Sequence, residues 1–107
     1  MQKQEARWAG AHFEADAVAD LLVRLYDRPF GSRDRGRYRI SAKHLRQVAG
    51  RQRLYPEDIE AICRALYERG LVLVDLESFY IVISQKTFAS YRRVNEAALG
   101  GNVSATT

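Results

Sequence analysis

Residues 41–84 have the sequence SAKHLRQVAGRQRLYPEDIEAICRALYERGLVLVDLESFYIVIS, and they decide the fold. Apolar residues recur at helical spacing in 41–50 and again in 56–69, so each segment has one apolar stripe that must be buried. Two runs rich in β-branched and aromatic residues follow at 71–74 and 79–83, separated by a short turn. This order predicts a helix, a turn, a second helix and a β-hairpin.

The ends of both predicted helices are marked by their own residues. Ser41 is a good N-cap, because its hydroxyl can accept a hydrogen bond from a free backbone N–H of the first turn. Pro56 suits the first position of the longer helix, where Glu57 and Asp58 place negative charge at the favourable end of the helix dipole. Gly70 follows that helix and predicts its end.

The remaining segments complete a single domain over residues 1–99. An apolar stripe predicts a helix at 13–27, and alternation predicts a short edge strand at 37–40. Because the hairpin strands are apolar on both faces, a further element must cover the second face. We expect a C-terminal helix over about 87–99, or the same helix from a second copy, in that place, followed by a disordered tail at 100–107.

One part of the chain resembles a known family. Residues 44–75, with the sequence HLRQVAGRQRLYPEDIEAICRALYERGLVLVD, are similar to the core of winged helix-turn-helix domains. The match extends over about 38–84, and LYERGLV at 66–72 is its most specific part. The resemblance implies an α+β, mostly helical fold, with a three-helix core, a short edge strand and a two-stranded wing over about 13–84. This family includes transcription factors, replication proteins and protein-interaction modules, so the fold alone does not decide the function.

The composition is that of an ordinary globular domain. Of the 107 residues, 47% are hydrophobic and 28% are charged, and no apolar run approaches the roughly 20 residues needed to span a bilayer. The N-terminal sequence has no apolar signal core, which favours a cytoplasmic protein without a membrane partner. Cys63 is the single cysteine, so no internal disulfide can form, and its place on an apolar helical stripe predicts a packing role.

Positive charge is concentrated in one part of the chain. The net charge is +4, but residues 28–53 contain nine basic residues and a single acid, Asp34. Residues 31–36 are expected to form a flexible loop before the strand. The arginines between 33 and 39 are two apart, so in an extended chain all four would project from one face, where an anion or nearby acids must neutralise them. The pattern predicts a phosphate-binding surface for double-stranded DNA. Its residues are Arg33, Arg35, Arg37, Arg39, Lys43, Arg46, Arg51 and Arg53.

Acidic residues occupy the positions that contact DNA in typical helix-turn-helix domains. Glu57, Asp58 and Glu60 lie near the N-terminus of the longer helix, whose outward residues would face base edges. Asp75 and Glu77 lie at the hairpin turn, which has no lysine or arginine. These five carboxylates favour a second hypothesis, in which the domain holds a protein partner and does not bind DNA.

The sequence contains no motif that indicates an enzyme. The segment 31–36 lacks the glycine spacing and the Lys-Ser/Thr pair of a phosphate loop, and no serine or cysteine lies in a nucleophile motif. His12 and His44 have no Cys, Asp or Glu partners at metal-ligand spacing. We therefore expect a non-enzyme without metal or cofactor, either a small DNA-binding transcriptional regulator or accessory factor, or an interaction module. The resemblance also favours a homodimer that pairs through its terminal helices.

Overall fold

The computed structural model describes residues 14–100, which form an α+β fold with one antiparallel sheet in the strand order β1–β3–β2. This confirms the predicted class. The predicted start of the first helix at residue 13 and most of the predicted tail, 101–107, lie outside the described residues. None of the described helices is long and apolar enough to cross a membrane. The elements are α1 (Ala15–Tyr26), β1 (Tyr38–Ser41), α2 (Ala42–Ala49), α3 (Pro56–Glu68), β2 (Leu71–Asp75), β3 (Phe79–Ser84) and a 3₁₀ helix (Gln85–Ser90).

The predicted helix ends are confirmed. Ser41 precedes α2, and its Oγ accepts a hydrogen bond of 3.0 Å from a backbone N–H in the first turn. Pro56 is the first residue of α3, and the Asp58 carboxylate accepts a bond of 2.9 Å from the Tyr55 N–H just before that helix. Gly70 follows α3 with a φ of 87°, a left-handed conformation that glycine adopts without strain.

A tight turn joins β2 to β3 and lies against the start of α2. Residues 76–78 connect the strands, as the sequence predicts. The Asp75 carboxylate accepts a hydrogen bond of 2.8 Å from the Glu77 N–H, and Glu77 itself has a φ of 72°. The Ser78 carbonyl accepts a bond of 3.0 Å from the Ala42 N–H, where β1 meets α2. The hairpin turn is therefore attached to the helical part of the domain.

The core lies between the three helices and one face of the sheet. Residues of β2 and β3 alternate between buried and half-buried, so one face of these strands is directed into the core. Arg69, just after α3, donates a hydrogen bond of 2.9 Å to Asp20 and lies 3.2 Å from Asp16, which links α3 to α1. The largest fully buried side chains are Leu22, Leu45, Ile62, Leu66 and Val82.

Replacing Tyr38 with phenylalanine is expected to lower the free energy of unfolding by about 1 kcal/mol, because the change removes one buried hydrogen bond. The Tyr38 hydroxyl donates to the Leu22 carbonyl at 2.8 Å, and the side chain is buried. Urea unfolding of both proteins measures the difference. Tyr67→Phe is the control, since Tyr67 is 63% exposed and should change little. Equal unfolding midpoints for Tyr38→Phe and the natural chain would contradict this role of the hydroxyl.

The C-terminal segment differs from the single helix predicted at 87–99. Of these residues, only those from 96 onward are α-helical, after the 3₁₀ helix and an irregular stretch. Phe88 and Tyr91 contact each other edge to face with ring centroids 5.1 Å apart, and every residue of 91–100 is exposed. An isolated helix of this length is marginal in water unless its apolar face is buried, and residues 91–100 are not buried against the described part of the chain.

Candidate nucleic-acid interface

The segment between α1 and β1 is a compact loop. The Gly36 N–H donates to the Tyr26 carbonyl at 3.0 Å, which folds the loop back onto the end of α1. Phe30 and Arg33 exchange backbone hydrogen bonds of 3.2 and 3.3 Å and form a small turn. Of the four alternating arginines, Arg39 alone lies in β1. The loop expected at 31–36 is confirmed. The four arginines therefore do not project from one face of an extended chain, because the chain turns before the strand begins.

The loop nevertheless brings the arginines together around a cavity of about 500 Å³, which we call the arginine cavity. Phe30 is in its wall, is 46% exposed, and contacts Tyr38 edge to face with ring centroids 5.6 Å apart. The predicted site omitted Phe30, which no sequence pattern marks, and Arg28, which the basic composition of the segment does indicate. The arginines that line the cavity are Arg28, Arg33, Arg35, Arg37 and Arg39.

Most of these cations have no acidic partner among the residues that the structure describes. Arg35 forms an ion pair of 2.7 Å with Asp27, so neutralisation by a nearby acid applies to this arginine. Arg39 lies 5.3 Å from the ring centre of Phe79, a contact that leaves its charge uncompensated. Clustered cations of this kind attract anions. The cavity arginines with no carboxylate at ion-pair distance anywhere in residues 14–100 are Arg28, Arg33, Arg37 and Arg39.

The other predicted basic residues form a second group on α2 and in the turn after it. Lys43 and Arg53 are exposed, whereas Arg46 and Arg51 are half-buried. Burial raises the pKa of Tyr80, and the nearby positive charge of Arg46 opposes that rise. None of these four basic residues lines the arginine cavity. The predicted basic surface is therefore divided into two parts.

The acidic residues of the second hypothesis are partly engaged within the chain. The carboxylate of Asp58 caps α3 through the bond described above, and that of Asp75 holds the hairpin turn. Glu60 lies 3.9 Å from an arginine one turn further along α3, a long ion pair between exposed side chains that contributes little. Glu57 and Glu77 are exposed, and their carboxylates have no ion-pair partner in the described part of the chain.

Cys63 has the surroundings of a packing residue. It is half-buried, and its Sγ lies 3.8 Å from the Leu73 carbonyl oxygen. Burial, together with the carboxylates of Asp75 and Glu60, raises the pKa of this thiol and disfavours the reactive thiolate. Among the residues that the structure describes, no three His, Cys, Asp or Glu side chains are grouped so that they could hold a metal ion.

Comparison of the chain with protein-family models, with curated proteins and with solved structures found no match. The arginine cavity and the basic group on α2 and its turn are therefore the features from which a function can be inferred.

Proposed function

We propose that this protein binds double-stranded DNA, and that the arginine cavity and the basic group on α2 and its turn contact phosphates. One observation carries the proposal. Five exposed arginines line one cavity, and all of them except Arg35 have no acidic partner within residues 14–100. Guanidinium groups bind phosphate oxygens well, often through two parallel hydrogen bonds. Such a protein serves as a small transcriptional regulator or an accessory factor, and its activity is binding rather than catalysis.

The order of the elements supports a winged helix-turn-helix assignment. A helix, an edge strand, two further helices and a hairpin follow one another, which is the order that the resemblance implies. In helix-turn-helix domains the second helix of the motif, here α3, faces the major groove. The N-terminal part of α3 offers Glu57 and Glu60, which suit few base contacts and oppose phosphates. We therefore infer a binding mode in which phosphate contacts dominate and base sequence is read weakly.

A protein-interaction module that does not bind DNA is the second candidate. The exposed carboxylates of Glu57 and Glu77 favour it. It has less support than DNA binding, because Asp58 and Asp75 are engaged in holding a helix and a turn. A complex between this protein and another protein would support this candidate if it survives nuclease treatment and is lost in the Glu57→Gln/Glu60→Gln variant. A complex that nuclease disperses would count against it.

The affinity for duplex DNA is expected to fall about 100-fold between about 50 and about 200 mM salt, if about four phosphates are neutralised. The physical reason is that each neutralised phosphate releases condensed counterions, and added salt opposes that release. Fluorescence anisotropy of a labelled generic duplex, titrated with the protein at both salt concentrations, measures the change. No binding at the lower salt concentration would contradict the proposed function, and binding that is insensitive to salt would contradict the phosphate mode.

A further inference from the structure

The face of the sheet that is directed away from the core is apolar. Along β2 and β3, half-buried side chains alternate with those of the core, and they are not among the half-buried hydrophobic residues that pack against it. Arg39 pairs with Ile81 across the sheet and bounds this face on the β1 side. The apolar residues of this face, which we call the outer face, are Val72, Val74, Phe79, Ile81 and Ile83.

Residues 91–100 form an exposed arm that follows β3 after the 3₁₀ helix. Three of its apolar side chains are far more exposed than is usual for their type, since Tyr91, Val94 and Leu99 are 59%, 69% and 53% exposed. The edge-to-face contact with Phe88 fixes the start of the arm beside the 3₁₀ helix that follows β3. The arm therefore presents apolar surface near the edge of a sheet whose outer face is also apolar.

A second copy of the chain fits both surfaces. When two sheets pack face to face about a two-fold axis perpendicular to their strands, the end of β3 in one copy lies over the hairpin turn of the other. The outer face of two short strands has an area on the order of 200 Å². A stable interface buries roughly 800 Å² on each partner, so the sheets alone are too small. The exposed arm supplies additional area, because it can lie along the sheet of the other copy.

The charges at the two ends of the sheet are complementary in this arrangement. Arg92 and Arg93 of the arm are exposed, and neither has a carboxylate at ion-pair distance in the described range 14–100. Glu77 at the hairpin turn is exposed and acidic, whereas Asp75 alternates with Leu71 and Leu73 and lies on the core side of β2. The end of β3 in one copy lies over the hairpin turn of the other, and the arm follows this end after the 3₁₀ helix. These arginines would therefore meet the Glu77 carboxylate. A nucleic acid would find no such match on an apolar face with an acidic end.

We propose that the outer face is the interface of a homodimer, in which the arm of each copy covers the hairpin of the other and its arginines contact Glu77. The interface uses none of the basic residues assigned to DNA except Arg39, which lies at its border. A test of the dimer is therefore independent of a test of DNA binding.

The molar mass of the full chain in solution tests the dimer, measured by light scattering after size-exclusion chromatography at about 100 μM protein. The natural chain is expected to show twice the 12.2 kDa of one copy. Val94→Lys and Ile81→Lys place a charge in the interface and are expected to weaken dimerisation at least tenfold, to the mass of one copy. Leu21→Lys is the matched control, since Leu21 is an apolar residue of α1 that is 39% exposed and outside the interface. Circular dichroism shows which variants are folded.

A charge exchange tests the proposed contact between the arm and the turn. Arg92→Glu with Arg93→Glu is expected to weaken the dimer about tenfold, and adding Glu77→Lys is expected to restore part of the loss. A natural chain with the mass of one copy at this concentration would overturn the proposal. A dimer that persists in the folded Val94→Lys variant would also overturn it, and because Val94 is on the exposed arm this variant tests the interface even if Ile81→Lys does not fold.

Discussion

Replacing Leu66 with alanine is expected to lower the free energy of unfolding by about 3 kcal/mol, the largest stability effect we predict for a single substitution. Leu66 is fully buried in α3 and belongs to the hydrophobic core, where α3 packs against α1 and β2. The change removes apolar contacts and leaves a cavity that neighbouring residues can fill only in part. For a small domain with a total stability of roughly 5–15 kcal/mol, this loss is a large fraction.

Urea unfolding followed by circular dichroism measures this loss as a shift of the midpoint. The adjacent residue provides a matched control, because Tyr67 is 63% exposed and Tyr67→Ala should change the free energy of unfolding by less than about 0.5 kcal/mol. Similar losses for the two variants would mean that α3 does not pack with the face containing Leu66 directed inward.

Reversing two charges of the arginine cavity, Arg33→Glu with Arg37→Glu, is expected to weaken duplex binding about 100-fold at about 50 mM salt. Two phosphate contacts are lost, and two carboxylates then face the polyanion. The slope of log affinity against log salt should also become shallower by about two contacts. Neither arginine side chain has an acidic partner in the described range, so the fold should be unaffected. Anisotropy at several salt concentrations measures both quantities.

Arg24→Glu with Lys86→Glu is the control for the same change in net charge. Arg24 is exposed on α1 one turn after Asp20, and neither control residue lines the arginine cavity. The control variant should lose only the small, long-range part of the attraction. Equal weakening by the two double variants would show that binding follows net charge and not the arginine cavity. Unchanged binding in the Arg33/Arg37 variant would assign the phosphate contacts elsewhere.

Local residues were enough to predict the helix boundaries and the hairpin. Ser41 and Pro56 fix where helices begin through bonds and backbone angles of their immediate neighbours, and Gly70 fixes an end in the same way. The three-residue turn could also be predicted, because it lies between two clearly β-rich runs. These features depend on contacts between residues close in sequence, which a pattern of residue types records directly.

Features that depend on distant contacts were not predictable. The arginines between 33 and 39 alternate as in a strand, but the bond from Gly36 to Tyr26 and the Phe30–Arg33 turn fold them into a loop. The helical spacing at 87–99 is real, yet a helix there needs an apolar surface to pack on, and residues 91–100 are exposed in the described copy. In both places the sequence pattern identified residues that lie close together, but it did not predict the backbone conformation that brings them together.

The pairing of β1 with β3 has a consequence for the order in which the domain is assembled. Tyr38 lies opposite Val82, and α2, α3 and β2 lie between β1 and β3 in the sequence. β1 can therefore pair with β3 only after this whole segment has brought the two strands together. Closing a loop of this length costs about 3 kcal/mol of chain entropy. We therefore expect the sheet to be completed late in folding, with the loop 28–37 gaining its fixed end at β1 in that step. A phosphate held by that loop would in turn favour the fully paired sheet, which couples ligand occupancy to the last step of folding.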